Sequence, residues 1–312
     1  MRWARLAAVL VLAACSSGAA HTATGASGAS TTAVTSAATT GVTTAVTTAV
    51  TTAGTTTVTE TSSSPAPPAR SLQQTVDDYV AAQATDFSVV AVDLATGERA
   101  EHLADRVVLS ASLYKLFVAR ELLRRIDDGE LRPTDPMGDS GGRTVDACIT
   151  AMIVVSDNAC GEAGLTRVGF GALDASIHAA GYGSTSLAQP QHTTANDVAV
   201  FFEQARAGTV VGDGHEAASA RLYSLLAQQQ VDDRLPTGLP AGTPIAHKTG
   251  DRYGWAHDAG VITTPKGDVL LAVLTGPWPY PCCDADDPGP GEARAFAAIA
   301  GLGTAVYDHM TG

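Results

Sequence analysis

The chain has 312 residues, of which 45% are hydrophobic, and a formal net charge of −13 at pH 7. This length is sufficient for one large domain or a two-lobed domain. The acidic balance argues against nucleic acid as a partner, because nucleic-acid-binding surfaces are strongly basic.

The first fifteen residues have the features of an export signal. Arg2 and Arg5 precede a short apolar run over residues 6–14, which is too short to stay in a bilayer as a spanning helix. The run ends in L-A-A-C at Cys15, and this resembles the signal box of bacterial lipoproteins, in which the cysteine is lipidated. An ordinary cleaved signal that contains a cysteine is the alternative.

Lipidation at Cys15 predicts an exported protein at the outer face of a bacterial cytoplasmic membrane, because two or more acyl chains give stable attachment. Residues 16–70 that follow are rich in Thr, Ala and Ser, with few charges and no aromatic residues. Such a segment cannot bury a core, so we expect a disordered tether. The tether would let residues 71–312 stand off the membrane.

The predicted folded part opens with a helix and a hairpin. Ser71 and Gln74 form a capping-box pattern, which predicts a helix to about residue 84. Residues 87–94 are Val-rich and predict a buried strand, and residues 99–102 predict a second strand after a turn.

The middle of the chain has a helical pattern. An apolar stripe predicts a helix that begins at or next to Ser112, and Thr144 is the predicted cap of another helix that runs through Ile153. The stripe of the first helix comprises Leu113, Leu116, Phe117, Arg120, Leu122 and Leu123.

Strands return near the C-terminus. Residues 244–248, 259–263 and 269–275 predict a three-strand meander, with a turn over residues 265–268. A final helix over about residues 291–310 directs an apolar face to the sheet, formed by Ala295, Phe296, Ile299 and Val306. We therefore predict an α/β (α+β) fold, an antiparallel sheet flanked by helices, with an inserted all-α lobe. The active site should lie at the junction of the two parts.

Two of the three lysines in the chain lie in short motifs with chemical meaning. Ser112 and Lys115 form S-x-x-K, and residues three apart on a helix share a face, so the amine would lie near the hydroxyl. A serine needs such a base, and the amine must be neutral, through burial or a second charge such as Lys248. An exposed serine and lysine on a helix is the alternative.

Two further motifs complete a set. Ser156, Asp157 and Asn158 form S-D-N, which by itself also suits a helix N-cap. Lys248 begins K-T-G, which ends at Gly250, where the missing side chain lets a substrate backbone approach.

The ordered set S-x-x-K, S-D-N and K-T-G resembles the signature of class A β-lactamases and penicillin-binding proteins. The segment over residues 90–99 and the entry into Ser112 resemble the same family. The resemblance implies that Ser112 is the nucleophile and Lys115 its base, and that Ser156 relays a proton to the leaving nitrogen. Asn158 would hold the substrate amide.

The K-T-G strand would bind the rest of the substrate. Thr249 would donate to a substrate carboxylate that Lys248 attracts. The backbone N–H of Asp251 would form the oxyanion hole with that of Ser112. An acidic side chain at Asp251 is unusual beside a carboxylate substrate, and Arg252 either compensates for it or is solvated.

One departure from the family concerns the release of the acyl group. Class A β-lactamases use a loop glutamate to activate water, but residues 175–196 contain no acidic residue. Gln189, Gln191 and His192 are the polar candidates for orienting water, and a glutamine cannot accept its proton. We therefore expect slow deacylation.

These motifs leave three hypotheses about function. The first is a serine hydrolase that β-lactams acylate, and the second is a peptidoglycan D,D-carboxypeptidase-like penicillin-binding protein. The third is a lipoprotein that binds wall peptide or antibiotic without turnover, which the retention of both motif lysines disfavours. We expect a monomer with a β-lactam or wall-peptide substrate and no cofactor.

Cysteines and histidines give further expectations. Besides Cys15 there are four cysteines, Cys148, Cys160, Cys282 and Cys283, and their connectivity stays open. A Cys148–Cys160 bridge looks unfavourable, because about eight helical residues at about 1.5 Å each separate Cys148 from the S-D-N turn. Histidine spacing disfavours a metal site, and the acidic run over residues 284–287 is interpreted as a solvated turn.

Overall fold

A computed structural model describes residues 70–279, 281–283 and 289–312. The export signal with Cys15, the tether up to residue 69 and the acidic run over residues 284–287 lie outside these described residues. All three remain predictions from the sequence.

The described residues form α-helices and β-strands in the predicted order. The helices are α1 Leu72–Ala81, α2 Tyr114–Asp127, α3 Val145–Val154, α4 Asn158–Val168, α5 Phe170–Ala179, α6 Ala195–Ala207, α7 Glu216–Leu226 and α8 Gly291–Thr311. The strands are β1 Phe87–Asp93, β2 Arg99–His102, β3 Val108–Leu109, β4 His192–Thr193, β5 Ile245–Arg252, β6 Trp255–Thr264 and β7 Gly267–Thr275. The predicted mixed fold, strands then helices then strands, is confirmed.

Five strands form an antiparallel sheet in the order β2-β1-β7-β6-β5, and β3 pairs with β4 in a small second sheet. The first hairpin and the C-terminal meander thus join through β1 and β7. Strand β1 is buried along nearly its whole length, which explains its continuous Val-rich pattern.

Several boundaries differ from the prediction. Helix α1 keeps its capping box but ends at Ala81 rather than near residue 84, because the next amides bond three residues back and tighten the turn. Strand β6 begins at Trp255, four residues before the predicted start. Its first part contains His257 and Asp258, which are both buried, so these polar residues concealed the strand from an apolar pattern.

Two cores flank the sheet. On one face α1 and α8 pack through residues that include Ala295, Phe296, Ile299 and Val306, as predicted. On the other face lies the helical lobe, centred on α2, in which every residue from Tyr114 to Leu123 is buried. A helix so enclosed can fix the short turn that precedes it, which contains Ser112, against strand β5.

Strand β5 is an edge strand, and this places its residues at the junction with the helical lobe. A two-residue turn, Tyr253 and Gly254, both with positive φ, connects it to β6. This is the turn geometry that matches the twist of a hairpin. The junction between β5 and α2 is where the three motifs meet.

Candidate active site

Ser112 lies in a 3-10 turn over Ala111–Leu113, immediately before α2. Its predicted position at or next to the helix start is therefore confirmed. Ala111 has a φ of 45°, a backbone state that costs free energy for a residue with a side chain. Lys115 follows one turn later, and its Nζ lies 3.0 Å from Ser112 Oγ.

Lys115 is fully buried, and oxygen atoms surround its amine. Nζ donates to the Ser156 carbonyl at 2.6 Å and to Asn158 Oδ1 at 2.7 Å. A neutral amine has two N–H donors and one lone pair. These two bonds would use both donors and leave the lone pair for the Ser112 hydroxyl, which is the arrangement of a general base.

Burial lowers the pKa of Lys115 to about 8, and Arg252 adds a smaller effect in the same direction. The sequence suggested burial or the charge of Lys248 as the cause. The structure assigns the effect to burial first, with Arg252 as the cation that contributes. The physical reason is that Lys248 is itself fully enclosed, so its own charged form is disfavoured.

The S-D-N motif forms a sharp reversal between α3 and α4. Ser156 has a φ of 56°, and Asp157 caps α4 by accepting a hydrogen bond from the Cys160 N–H. Burial would raise the pKa of Asp157, but its bonds to Arg143 and the cap amide hold that pKa below its usual range. Asn158 is the first residue of α4, with its amide oxygen on Lys115.

Ser156 Oγ lies between the two motif lysines. It is 3.2 Å from Lys115 Nζ and 2.9 Å from Lys248 Nζ. Lys248 also donates to the Thr249 carbonyl at 2.9 Å. Burial, together with the charges of Lys115 and Arg234, lowers the pKa of Lys248 well below its usual value. A hydroxyl between two amines can pass a proton from one group to another.

The K-T-G strand approaches the nucleophile very closely at Gly250. A Cβ added there would meet the Ser112 backbone nitrogen at 3.1 Å, so a larger residue would push the turn away. In the β5–β6 ladder the Thr263 N–H donates to the Pro244 carbonyl, and in an antiparallel pair only every second residue of a strand makes such bonds to its partner. The even-numbered residues of β5 therefore bond to β6. Asp251 is odd-numbered, so its backbone N–H points away from β6, to the open edge of the sheet.

Two backbone amides therefore adjoin the site, those of Ser112 and Asp251. The 3-10 turn that holds Ser112 packs against β5. Amides aimed at one position can stabilise an oxyanion, and losing one such donor typically costs about 10²–10³ in rate. The role of this pair as the oxyanion hole stays a prediction from the sequence.

The acidic side chain of Asp251 has a partner that the sequence analysis missed. Its Oδ1 accepts a hydrogen bond from Arg234 Nη2 at 2.5 Å. The sequence left open whether Arg252 compensates for Asp251, and the structure shows that Arg234 bonds to it. No short motif marks Arg234, because it lies just before the 3-10 turn over Leu235–Gly238, 17 positions from Asp251 along the chain.

The loop candidates for water activation lie beside the nucleophile turn. The Gln191 carbonyl accepts a bond from the Ser110 N–H at 3.0 Å, and Gln191 is buried. His192 pairs with Leu109 across the small sheet and is half-buried, whereas Gln189 is exposed.

The prediction that Cys148 and Cys160 are too far apart to pair was wrong. They form a disulfide with Cα atoms 4.9 Å apart. The predicted separation took account only of the length of α3, whereas the chain reverses at Ser156 and α4 runs back past Cys148. Cys282 and Cys283, whose connectivity was open, are also joined.

Among residues 70–279, 281–283 and 289–312, no group of three or more His, Cys, Asp and Glu side chains is placed to hold a metal ion. Over the same part of the chain, no helix has the length and apolarity to cross a membrane.

A model of the family described as "Beta-lactamase enzyme family" matches residues 70–310. A search of curated proteins gave no significant match.

Solved structures share the fold. PBP-A is 21% identical, with a TM-score of 0.66 over 78% of this chain and 97% of that chain. An ancestral class A beta-lactamase is 24% identical, with a TM-score of 0.63 over 76% and 99%. A beta-lactamase from Sphaerobacter thermophilus is 22% identical, with a TM-score of 0.65 over 76% and 97%. Because the family model covers most of its length, the chain belongs to the beta-lactamase enzyme family and is a serine hydrolase with an acyl-enzyme mechanism.

Proposed function

We propose that this chain is an exported serine hydrolase that β-lactams acylate on Ser112 and that releases the acyl group slowly. The contact between Lys115 Nζ and Ser112 Oγ at 3.0 Å carries the proposal. It pairs a nucleophile with a buried amine whose pKa lies near neutrality, and such a base works best near its own pKa.

Acylation would proceed in two steps. Ser112 Oγ attacks the lactam carbonyl carbon while neutral Lys115 takes the hydroxyl proton, and the amides of Ser112 and Asp251 bind the oxyanion. The carbon–nitrogen bond then breaks, and the proton reaches the leaving nitrogen through Ser156. The result is an ester on Ser112, a neutral amine that carries the transferred proton, and Lys115 returned to its neutral form.

Other side chains would orient the donor. Asn158 can donate from its amide nitrogen to the acyl group, since its oxygen already accepts from Lys115. Gly250 leaves room for a substrate backbone along β5, and Thr249 lies next on the same strand. Lys248 holds the relay hydroxyl of Ser156 in place.

The proposal of slow deacylation rests on the absence of a suitable base in residues 175–196. Residues 175–196 contain no carboxylate, and neither Gln189 nor Gln191 can accept a proton from water. Loss of a general base typically costs about 10²–10⁴ in rate. A variant of PBP-A, a protein with this fold, has been solved as an acyl-enzyme complex with penicillin G.

The mass of the intact protein tests the proposal. The domain from residue 71 should gain the mass of one ring-opened penicillin and keep it far longer than it takes to form. Ser112→Ala should abolish the gain, and Lys266→Ala is the control, because Lys266 lies in the exposed turn before β7. Labelling that persists in Ser112→Ala would exclude Ser112 as the nucleophile.

The loop gives a second test. Replacing Gln189, Gln191 and His192 one at a time by alanine should leave the deacylation rate unchanged. A fall with His192→Ala alone would identify a substitute base. Fast turnover of a chromogenic cephalosporin by the wild type would contradict slow deacylation.

A D,D-carboxypeptidase-like penicillin-binding protein is the second candidate. It also forms an acyl-enzyme on the S-x-x-K serine and needs no loop glutamate. Release of D-alanine from a wall peptide, at a rate above that of β-lactam turnover, would favour this candidate.

Export and anchoring belong to the same proposal. Lipidation at Cys15 would place the enzyme at the outer face of a bacterial cytoplasmic membrane, as a monomer on a tether of residues 16–70. The L-A-A-C sequence at the end of the apolar run supports this.

A further inference from the structure

Asp251 places a carboxylate of the chain itself beside the expected substrate site. Its side chain is 30% exposed, so part of the carboxylate remains open to solvent while it bonds to Arg234. Its backbone N–H is one of the two amides at the nucleophile. A charge in this position interacts electrostatically with any acyl donor that comes within reach of Ser112.

The alternation of β5 shows which binding residues share a face with this carboxylate. Successive strand residues point to opposite faces, so Thr249 and Asp251 lie on one face and Lys248 and Gly250 on the other. Thr249 is the side chain expected to donate to a substrate carboxylate. An acyl donor whose carboxylate binds Thr249 would have that carboxylate next to the carboxylate of Asp251.

Arg234 is the cation that could attract a substrate carboxylate on this face, but each of its two terminal nitrogens already donates a hydrogen bond within the chain. It is 1% exposed, and Nη1 donates to the His257 carbonyl at 3.1 Å while Nη2 bonds to Asp251. A second carboxylate, Asp233, lies 3.4 Å from Nε. The ring of Phe296 covers the guanidinium at 3.9 Å.

The charges on this face therefore do not favour an anion. The guanidinium of Arg234 is already paired with Asp251, and the half-exposed carboxylate of Asp233 adds only a screened negative charge. Burial and neighbouring cations lower the pKa of Lys248, so its ammonium form contributes less attraction than an exposed lysine would. A substrate carboxylate would have to compete with the chain's own.

We propose that Asp251 determines specificity by excluding acyl donors with a carboxylate next to the scissile bond, so that the preferred donor is uncharged at that end. This inference rests on the proposed acylation of Ser112. It adds a substrate class, esters or amides that are neutral on the leaving-group side. Penicillin, with its carboxylate, would then acylate the enzyme more slowly than a matched neutral donor.

A pair of thioesters tests this specificity. One is the thioester of hippuric acid with mercaptoacetate, and the other has the mercaptoacetate carboxyl methylated. The measurement is the second-order rate constant of acylation for each, in wild type, Asp251→Asn and Asp233→Asn. For each protein, the rate constant for the carboxylate donor is divided by that for the methylated donor. A general loss of stability does not change this ratio.

We expect the wild type to prefer the methylated donor. Asp251→Asn should raise the ratio by about tenfold, the effect of one nearby charge in a partly solvated cleft. Asp233→Asn, the matched control, should change it by less than about twofold, because its half-exposed charge is largely screened. An unchanged ratio in Asp251→Asn, or a wild-type preference for the carboxylate donor, would overturn the inference.

Salt provides a test that needs no variant. Screening weakens repulsion between charges, so added salt should speed acylation of the wild type by the carboxylate donor and leave the methylated donor unaffected. Slower acylation by the carboxylate donor would show attraction and overturn the inference. Failure of both thioesters and penicillin to acylate the wild type would contradict the proposed function itself, whereas acylation with an unchanged ratio would contradict this inference alone.

Discussion

Burial determines the chemistry of Lys115 more than any charge near it. The amine sits in a fully enclosed position among hydroxyl and carbonyl oxygens, and desolvation disfavours its charged form. Asp251 opposes this shift from within the cleft. Together, burial and the charge of Asp251 leave Lys115 with an amine that can be neutral near physiological pH while it contacts Ser112 Oγ.

The rate of acylation should therefore depend on pH through Lys115. The neutral amine is the active form, so the rate constant should fall about tenfold per pH unit below the pKa of about 8 and level off above it. Stopped-flow measurement of acylation from pH 5.5 to 9.5 provides the check. A flat profile would mean that another group takes the proton.

The three lysines allow a matched comparison. Lys115→Met should slow acylation by about 10²–10⁴, the usual cost of losing a general base. Lys266→Met removes the same charge from an exposed turn and should leave acylation unchanged. Equal losses in both variants would point to net charge rather than position.

At the scale of elements, the reversal between α3 and α4 holds the relay serine. Its positive φ at Ser156 costs free energy, and the disulfide between Cys148 and Cys160 ties the two helices together across it. Arg143 adds a bond to Asp157 at 2.7 Å. The bridge thus stabilises the backbone that places Ser156 between the lysines.

Removing that bridge should cost both stability and rate. The loop it closes spans 12 positions, so Cys148→Ala/Cys160→Ala should lower the free energy of unfolding by about 3 kcal/mol, with slower acylation. Urea unfolding measures the first effect. Cys282→Ala/Cys283→Ala is the contrast, because adjacent residues close almost no loop, and an equal loss there would contradict the argument.

The pairing of β6 with its neighbours depends on a neutral histidine. His257 is fully buried, with Nε2 2.8 Å from the Leu109 carbonyl and Nδ1 accepting from the Thr275 N–H. A protonated ring could not accept that second bond. Burial lowers the pKa of His257 to about 4.

This histidine should make the fold sensitive to acid. Its folded pKa lies below the unfolded value of about 6.5, so its contribution is complete above pH 6.5 and is lost as pH falls toward 4, by about 3 kcal/mol in total. His257→Gln keeps one donor and one acceptor. Urea unfolding at pH 7 and pH 4.5 should show a smaller difference for the variant than for the wild type; equal differences would exclude His257 as the cause.

At the scale of the whole molecule, the proposed anchor determines where the enzyme meets its substrate. Cys15→Ala should release the protein from membranes, because the acyl chains would supply the membrane affinity. Detergent-phase partition of wild type and variant measures this. Equal retention of both would indicate a different attachment.

The sequence by itself determined the features that depend on short separations along the chain. Ser112 and Lys115 share a helix face because they are three residues apart, and the capping box at Ser71 needs only its neighbours. The order of strands and helices followed from apolar periodicity, which each segment carries alone. The family resemblance rested on the same short motifs.

Only the tertiary structure decided the features that join distant segments. The partner of Asp251 is Arg234, which comes from the segment before the 3-10 turn over Leu235–Gly238, and Cys160 reaches Cys148 because the chain reverses at Ser156. Burial of Lys115 and Lys248 likewise comes from elements far away in sequence. The sequence pattern of one segment does not show which distant segment will pack on it and bury its side chains. That burial determines the pKa values and the charge balance of the site.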